Sequence, residues 1–261
     1  MKTKSLSIFL VALFIVGMNL GTEEDNNENK ENEKFEYKKI NKVPADKTDL
    51  SLKMILIGNS MVGTSALSEK ICKNTFPEEY SQTLGFEFFT LIFKIVSDED
   101  KPVLKYEIWD CCGMEIYKSL IAGFCRKARV FLLAYDVTNG ESFNNIENWV
   151  NIVKDNNKDE HIHFVLIGTK IDLEDKRVVS QETGKKFAKE KGMKFIEVSA
   201  RTGAGINELE NILAKIIYEE SKKNKEKEKE EGDSKDDFIV VGKHTHSSSL
   251  CDCCEEICEN C

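Results

Sequence analysis

Apolar residues gather in short dense runs between residues 52 and 220, separated by stretches whose apolar positions recur with a helical period. Six runs have the density of buried strands: LKMILIGN (52–59), FEFFTLIFKIV (86–96), VLKYEIWD (103–110), RVFLLAYDV (129–137), HFVLIGTK (163–170) and MKFIEVSA (193–200). Five stretches predict helices, at 64–74, 114–128, 142–157, 180–192 and 205–220. In the third, Phe143, Ile146, Trp149, Val150 and Val153 form one stripe along a helix face. The polar turn SDEDKP at 97–102 joins the second and third strands as a hairpin. Strands and helices otherwise alternate, which predicts a doubly wound α/β sheet, mostly parallel with one antiparallel pair. Ligands of such sheets bind at the carboxyl ends of the strands.

Outside this region the pattern changes. Residues 1–21 hold an uncharged, largely apolar stretch, SLSIFLVALFIVGMNL at 5–20, preceded by Lys2 and Lys4 and followed by acids. That is the layout of a secretory signal or signal anchor. The stretch is long for the one and short for a spanning helix, and no clear small-x-small cleavage site follows it. Residues 22–50 read as a polar linker and 220–261 as a charged tail with a cysteine-rich end, which leaves 51–219 as the folded domain.

A formal charge of −9 argues against sequence-independent binding to nucleic acid, which needs clustered Lys and Arg. Nine cysteines divide between four scattered in the domain and five in the last eleven residues, so they do not form the framework of a small disulfide-rich fold.

The first strand runs into GNSMVGTS at 58–65, with Gly58, Asn59, Ser60, Met61, Val62, Gly63, Thr64 and Ser65 in the spacing of a phosphate-binding loop. In such a loop glycines let backbone N–H groups turn toward phosphate oxygens, and the following helix adds positive potential at its N-terminus. The last hydroxyl, here Ser65, is the position that ligates Mg²⁺. A lysine that reaches the outer phosphates belongs where Thr64 stands. Threonine is short and uncharged. Two charge-assisted hydrogen bonds at roughly 1.5–3 kcal/mol each amount to roughly 100-fold to 10⁴-fold in affinity. The octet alone fits a Gly-rich strand-to-helix turn equally well.

Other strand ends carry chemistry too. Asp110 and Gly113 follow the third strand, Thr169, Lys170 and Asp172 the fifth, and Ser199, Ala200 and Arg201 the sixth. An aspartate ending a strand beside a phosphate loop is placed to hold Mg²⁺ directly or through water, and the Gly113 N–H can meet a terminal phosphate. Asp172 offers two acceptor oxygens suited to an N–H/NH₂ edge such as guanine's.

With these motifs in place, the stretch from about 52 to 218 resembles the small GTPases of the Ras superfamily, and within them the Rab branch. YDVTNGESFNNIENW (135–149) and EVSARTGAGINEL (197–209) carry most of that likeness, and YEIWDCCGMEIY (106–117) stands where Rab proteins have an acidic strand end followed by T-A-G-Q-E. The resemblance implies a P-loop NTPase-type three-layer sandwich with a six-stranded, mostly parallel sheet and five helices. It implies GTP or GDP with Mg²⁺ as ligands, held by residues 58–65, Phe76, Thr83, Asp110, Gly113, Thr169, Lys170, Asp172, Ser199, Ala200 and Arg201, with Ser65, Thr83 and, through water, Asp110 on the metal. Phe88, Trp109 and Tyr117 would form an aromatic surface for effector and exchange proteins, although core packing explains their spacing as well. Prenylation of tail cysteines among Cys253, Cys254, Cys258 and Cys261 would anchor the protein to the cytoplasmic face of an endomembrane, a location with which the apolar N-terminal segment conflicts. Metal binding by those cysteines with His244 and His246 is the alternative. Two departures weigh on activity: Thr64, and Met114 in place of the glutamine that orients attacking water. They leave open a non-hydrolysing pseudo-GTPase that acts as a protein-binding module.

Overall fold

The central strands are apolar on both faces, and this dictates a sheet covered by helices on each side. In the computed structural model, which describes residues 35–44, 47–78, 85–111, 123–159 and 161–232, the elements in order are β1 (Tyr37–Ile40), β2 (Leu50–Gly58), α1 (Thr64–Lys73), β3 (Phe86–Ile95), β4 (Val103–Cys111), β5 (Val130–Asp136), α2 (Gly140–Asn144), α3 (Ile146–Asn156), β6 (His163–Thr169), α4 (Gln181–Glu190), β7 (Lys194–Glu197) and α5 (Ile206–Gly232). The sheet order is β1-β3-β4-β2-β5-β6-β7. From β4 to β7 neighbours run parallel, while β3 is antiparallel to both β4 and β1.

Alternation along each strand feeds two separate cores. Met54 and Leu56 of β2 and Leu132 of β5 pack with Leu67 and Ile71 of α1 and Leu209 and Leu213 of α5. Ile55, Ile57, Phe131 and Leu133 point to the other face, where Trp149 and Val153 of α3 and Ala188 of α4 cover them. Each of the fully buried Leu, Ile, Val, Met and Phe side chains among these contributes about 1.5–3 kcal/mol.

The α/β class expected from the hydrophobic pattern is present, but the sheet has seven strands rather than six. The additional strand, β1, lies inside the stretch read as a linker. Its sequence, YKKI, gives no apolar run, because only one of its faces is covered. Tyr37 sets its ring edge against Phe93 with centroids 5.2 Å apart, and Phe35 packs 5.6 Å from Tyr218. Lys39 Nζ donates to the Ile71 carbonyl in the last turn of α1 at 2.8 Å and pairs with Glu210 at 2.6 Å.

Two further differences are local. The helix expected over 142–157 is two, α2 and α3, meeting at Asn145; the Asn139 side chain caps α2 by accepting from the Glu141 and Ser142 N–H groups. The helix expected at 114–128 falls mostly outside the described residues. The last helix continues to Gly232, past the expected end at 220, because its Lys- and Glu-rich stretch has high helix propensity. The compact unit itself closes at Ser221. No helix among the described residues is long and apolar enough to cross a membrane.

At the amino ends of the strands the last turns of this unit are pinned by Glu220, which lies 3.1 Å from His163 Nε2 and 3.3 Å from Arg129.

Lys39→Met keeps the aliphatic stem and removes both polar contacts of the ammonium. It is expected to lower stability by about 1–3 kcal/mol, which is several degrees of melting temperature. Thermal unfolding of the full chain checks this, and the same variant in a Glu210→Gln background should lose much less.

Candidate functional site

The phosphate loop leaves β2 where side chains leave no room. A Cβ on Gly58 would stand 2.5 Å from the Ala134 carbonyl oxygen and 2.6 Å from a Val62 methyl, so only glycine lets β2 pass β5 there. Met61 (φ 67°) and Gly63 (φ 92°) then adopt left-handed conformations on either side of Val62. Such alternation turns successive N–H groups toward one concave side, the geometry that receives anions. Gly63 is also the N-cap of α1; no side chain caps that end and no acidic residue stands in its first turn. The helix N-terminus is thus open toward the loop.

Neighbouring elements hold the loop by its outward-facing groups. Asn59 Oδ1 accepts from Asn145 Nδ2 at 2.6 Å and from Trp149 Nε1 at 2.9 Å. The Thr169 hydroxyl lies 2.7 Å from the Val62 carbonyl and 2.9 Å from that of Tyr135, with one proton to serve both. Lys170 Nζ donates to the Met61 carbonyl at 2.6 Å and pairs with Asp136 at 2.7 Å. Burial raises the Asp136 carboxyl, yet the Lys170 ammonium and the Thr138 hydroxyl and N–H outweigh it, and its pKa falls below the usual value. Because Lys170 is committed in this way, it does not stand in for the lysine missing at Thr64.

Asp110, one residue before the end of β4, lies next to Leu56 of β2. It is fully buried, and no partner of full hydrogen-bond geometry reaches either carboxylate oxygen, the Ser65 and Thr64 hydroxyls standing close without completing one. Burial pushes its pKa up to about 6; the Ser65 and Thr64 hydroxyls draw it down, and the Glu87 charge adds to the rise. A sealed carboxylate beside two hydroxyls is an oxygen donor set that fits a hard divalent cation such as Mg²⁺. No group of three His, Cys, Asp or Glu among the described residues could hold a metal, so such a site depends on the hydroxyls.

Beyond the loop lies a cavity of about 410 Å³ whose walls include Phe76, Thr169, Lys170, Asp172, Ala200 and Arg201. Ser199 Oγ donates to Asp172 Oδ1 at 2.6 Å and accepts from the Thr202 N–H at 3.1 Å, which fixes the Asp172 carboxylate. The turn that carries Ser199 closes at Gly205 (φ 74°), where a Cβ would meet the Glu197 carbonyl oxygen at 2.2 Å.

Residues 58–65, Phe76, Asp110, Thr169, Lys170, Asp172, Ser199, Ala200 and Arg201 therefore share one rim of the sheet. Thr83, Gly113, Met114, Tyr117 and the tail cysteines lie outside the described residues. Phe88 is exposed rather than core, and its ring meets Trp109 edge-on at 5.5 Å. Phe86, Phe124 and the Lys53 ammonium, 4.8 Å from the Trp109 ring, complete that cluster. The sequence reading missed Asp136, Asn145 and Trp149. Asp136 ends the fourth of the six expected strands, RVFLLAYDV.

A family model described as Ras family matches residues 53–219. This chain belongs to the Ras family. It is 35% identical to the Ras-related protein Rab-3 of Caenorhabditis elegans over 67% of this chain and 74% of that protein. It is 35% identical to the Ras-related protein RABA1c of Arabidopsis thaliana over 80% of this chain and 96% of that protein. It is 33% identical to the GTP-binding protein YPT52 of Saccharomyces cerevisiae over 65% and 83% respectively. The chain is a Rab-like small GTPase of the Ras superfamily, and β1 precedes the part that matches the family model.

In this Rab-like GTPase the buried Asp110 predicts a pH dependence. Its folded pKa of about 6 lies above the ordinary 3.8, so folding favours the protonated form. The contribution is fully present below about pH 4 and is lost as pH rises through about 6. Asp110→Asn stays uncharged, and relative to wild type it should gain about 2–3 kcal/mol of stability between pH 4 and pH 7. Urea unfolding at the two pH values, with divalent ions chelated, measures this difference; equal differences at both would contradict the assignment.

Proposed function

We propose that this protein is a guanine-nucleotide-binding switch of membrane traffic whose phosphate affinity is weakened by Thr64 and whose hydrolysis is impaired by Met114. The observation that carries the reading is the sealed Asp110 carboxylate, set beside Ser65 and Thr64 at the mouth of an anion-receiving loop. Such a group is costly to bury alone and is relieved when a cation joins it. The cavity bounded by Phe76, Lys170 and Asp172 is where a base would lie, with Asp172 accepting from a guanine edge. A relative, YPT52, is named a GTP-binding protein, and others are Rab proteins.

Mg²⁺, when bound with nucleotide, would supply positive charge to offset the negative charge of the phosphates. Ser65 and Asp110, with Thr83 from the sequence, would hold it. Gly63 and the first turn of α1 present N–H groups to the phosphates, while Thr169 and Lys170 keep the loop in shape from behind. Thr169 spends its one proton on the carbonyls of Val62 and Tyr135, so it serves the loop rather than the base. Effector and exchange proteins would meet the surface of Phe88, Trp109 and Tyr117. Lipid on the tail cysteines would place the switch on the cytoplasmic face of an endomembrane.

A second reading, a protein-binding module indifferent to nucleotide, is favoured by the absence of the loop lysine together with Met114. The two readings separate in one titration of the full chain with a fluorescent GTP analogue and Mg²⁺. The switch predicts saturable binding that Thr64→Lys tightens by roughly 100-fold or more. No binding up to millimolar nucleotide, in wild type and variant alike, would leave the binding-module reading standing. Single-turnover hydrolysis should be barely measurable in wild type and should rise when Thr64→Lys and Met114→Gln are combined.

A further inference from the structure

Trp149 is almost wholly buried, and its indole N–H is satisfied by Asn59 Oδ1 of the phosphate loop. The same oxygen takes the Asn145 amide, whose own carbonyl accepts from Asn148 Nδ2 at 2.6 Å and is thereby oriented. The loop is gripped from two sides: at Asn59 from the α3 side, and at the Met61 and Val62 carbonyls from the β6 side. Peptide planarity turns the Gly63 N–H opposite to the Val62 carbonyl that Thr169 holds, and so into the concave side of the loop. These side-chain bonds use none of the loop N–H groups a phosphate would need; the Val62 N–H is turned back onto the Asn59 carbonyl at 3.3 Å, which leaves those of its neighbours.

The chemistry of the clamp is selective. Two donors converge on one oxygen, so either an amide or a carboxylate could accept them. A carboxylate would add a negative charge next to the phosphates, in a loop that has threonine where a lysine would offset it. We propose that Asn59 is a positioning residue for polyphosphate: a neutral double acceptor that holds residues 60–63 ready for phosphate, so that pre-organisation replaces part of the missing cationic attraction. This rests on the nucleotide-binding reading for its ligand, but not for its structural half.

The test uses the full chain with two substitutions and two readouts. Amide exchange at residues 60–63 without nucleotide reports loop order, and affinities for GDP and for guanosine report the phosphate contribution separately. Asn59→Leu, similar in size but without an acceptor, should speed exchange and weaken GDP by roughly 10-fold or more while leaving guanosine unchanged. Asn59→Asp keeps both bonds and should exchange like wild type, yet bind GDP roughly 10-fold more weakly because of its charge. If Asn59→Leu does not fold, Trp149→Phe removes one donor from outside the loop and should speed exchange at the same residues. Unchanged exchange and an unchanged GDP-to-guanosine ratio in Asn59→Leu would overturn the proposal, and undiminished GDP binding in Asn59→Asp would overturn its charge half. If wild type binds neither ligand, the nucleotide reading fails, and the exchange measurement still decides whether Asn59 orders the loop.

Discussion

The site hangs on the close passage of β2 and β5 at Gly58. With the Ala134 carbonyl on one side and a Val62 methyl on the other, the chain can leave the sheet there only without a side chain, and it leaves in the one direction that forms the loop. The left-handed turns at Met61 and Gly63, the open end of α1 and the tethers from β6 all presuppose that exit. The surrounding core makes it rigid, since β2 is buried on both faces by α1 and α5 on one side and α3 and α4 on the other.

Charge at this rim is distributed unusually. Lys170, the cation at the back of the loop, is neutralised by Asp136 and turned toward a carbonyl. The sealed Asp110 lies in front, with Glu87 adding to its cost of ionisation. Neutral groups supply the remaining order: the amide of Asn59, the hydroxyl of Thr169 and the indole of Trp149. A loop arranged in this way owes its order to shape and to neutral bonds more than to positive side chains of its own.

The parts legible in sequence were those whose signal is local. Strands such as RVFLLAYDV announce themselves because both faces are buried, and the rim motifs followed once those strands were placed. β1 was illegible because YKKI owes its strand conformation to β3, more than fifty residues away, and to Lys39 reaching Ile71 and Glu210. The break at Asn145 was hidden inside a continuous helical stripe, since the capping Asn139 precedes the apolar positions that defined it. Asn59 was placed with the ligand by its position in the motif; that its side chain faces α3 depends on Trp149, ninety residues on. Residue type identified the loop, while only tertiary contacts revealed how it is held.

The stacking of Phe35 on Tyr218 has a geometric consequence. The polypeptide enters and leaves the compact unit side by side, near the amino edge of the sheet marked by Glu220 and His163 and opposite the rim that carries Gly58 and Asp172. A tether at either point would therefore pull on the same corner of the compact unit, with the rim that carries Gly58 and Asp172 facing away from it. The same adjacency makes the fold a natural candidate for circular permutation, with the old ends spliced across that corner.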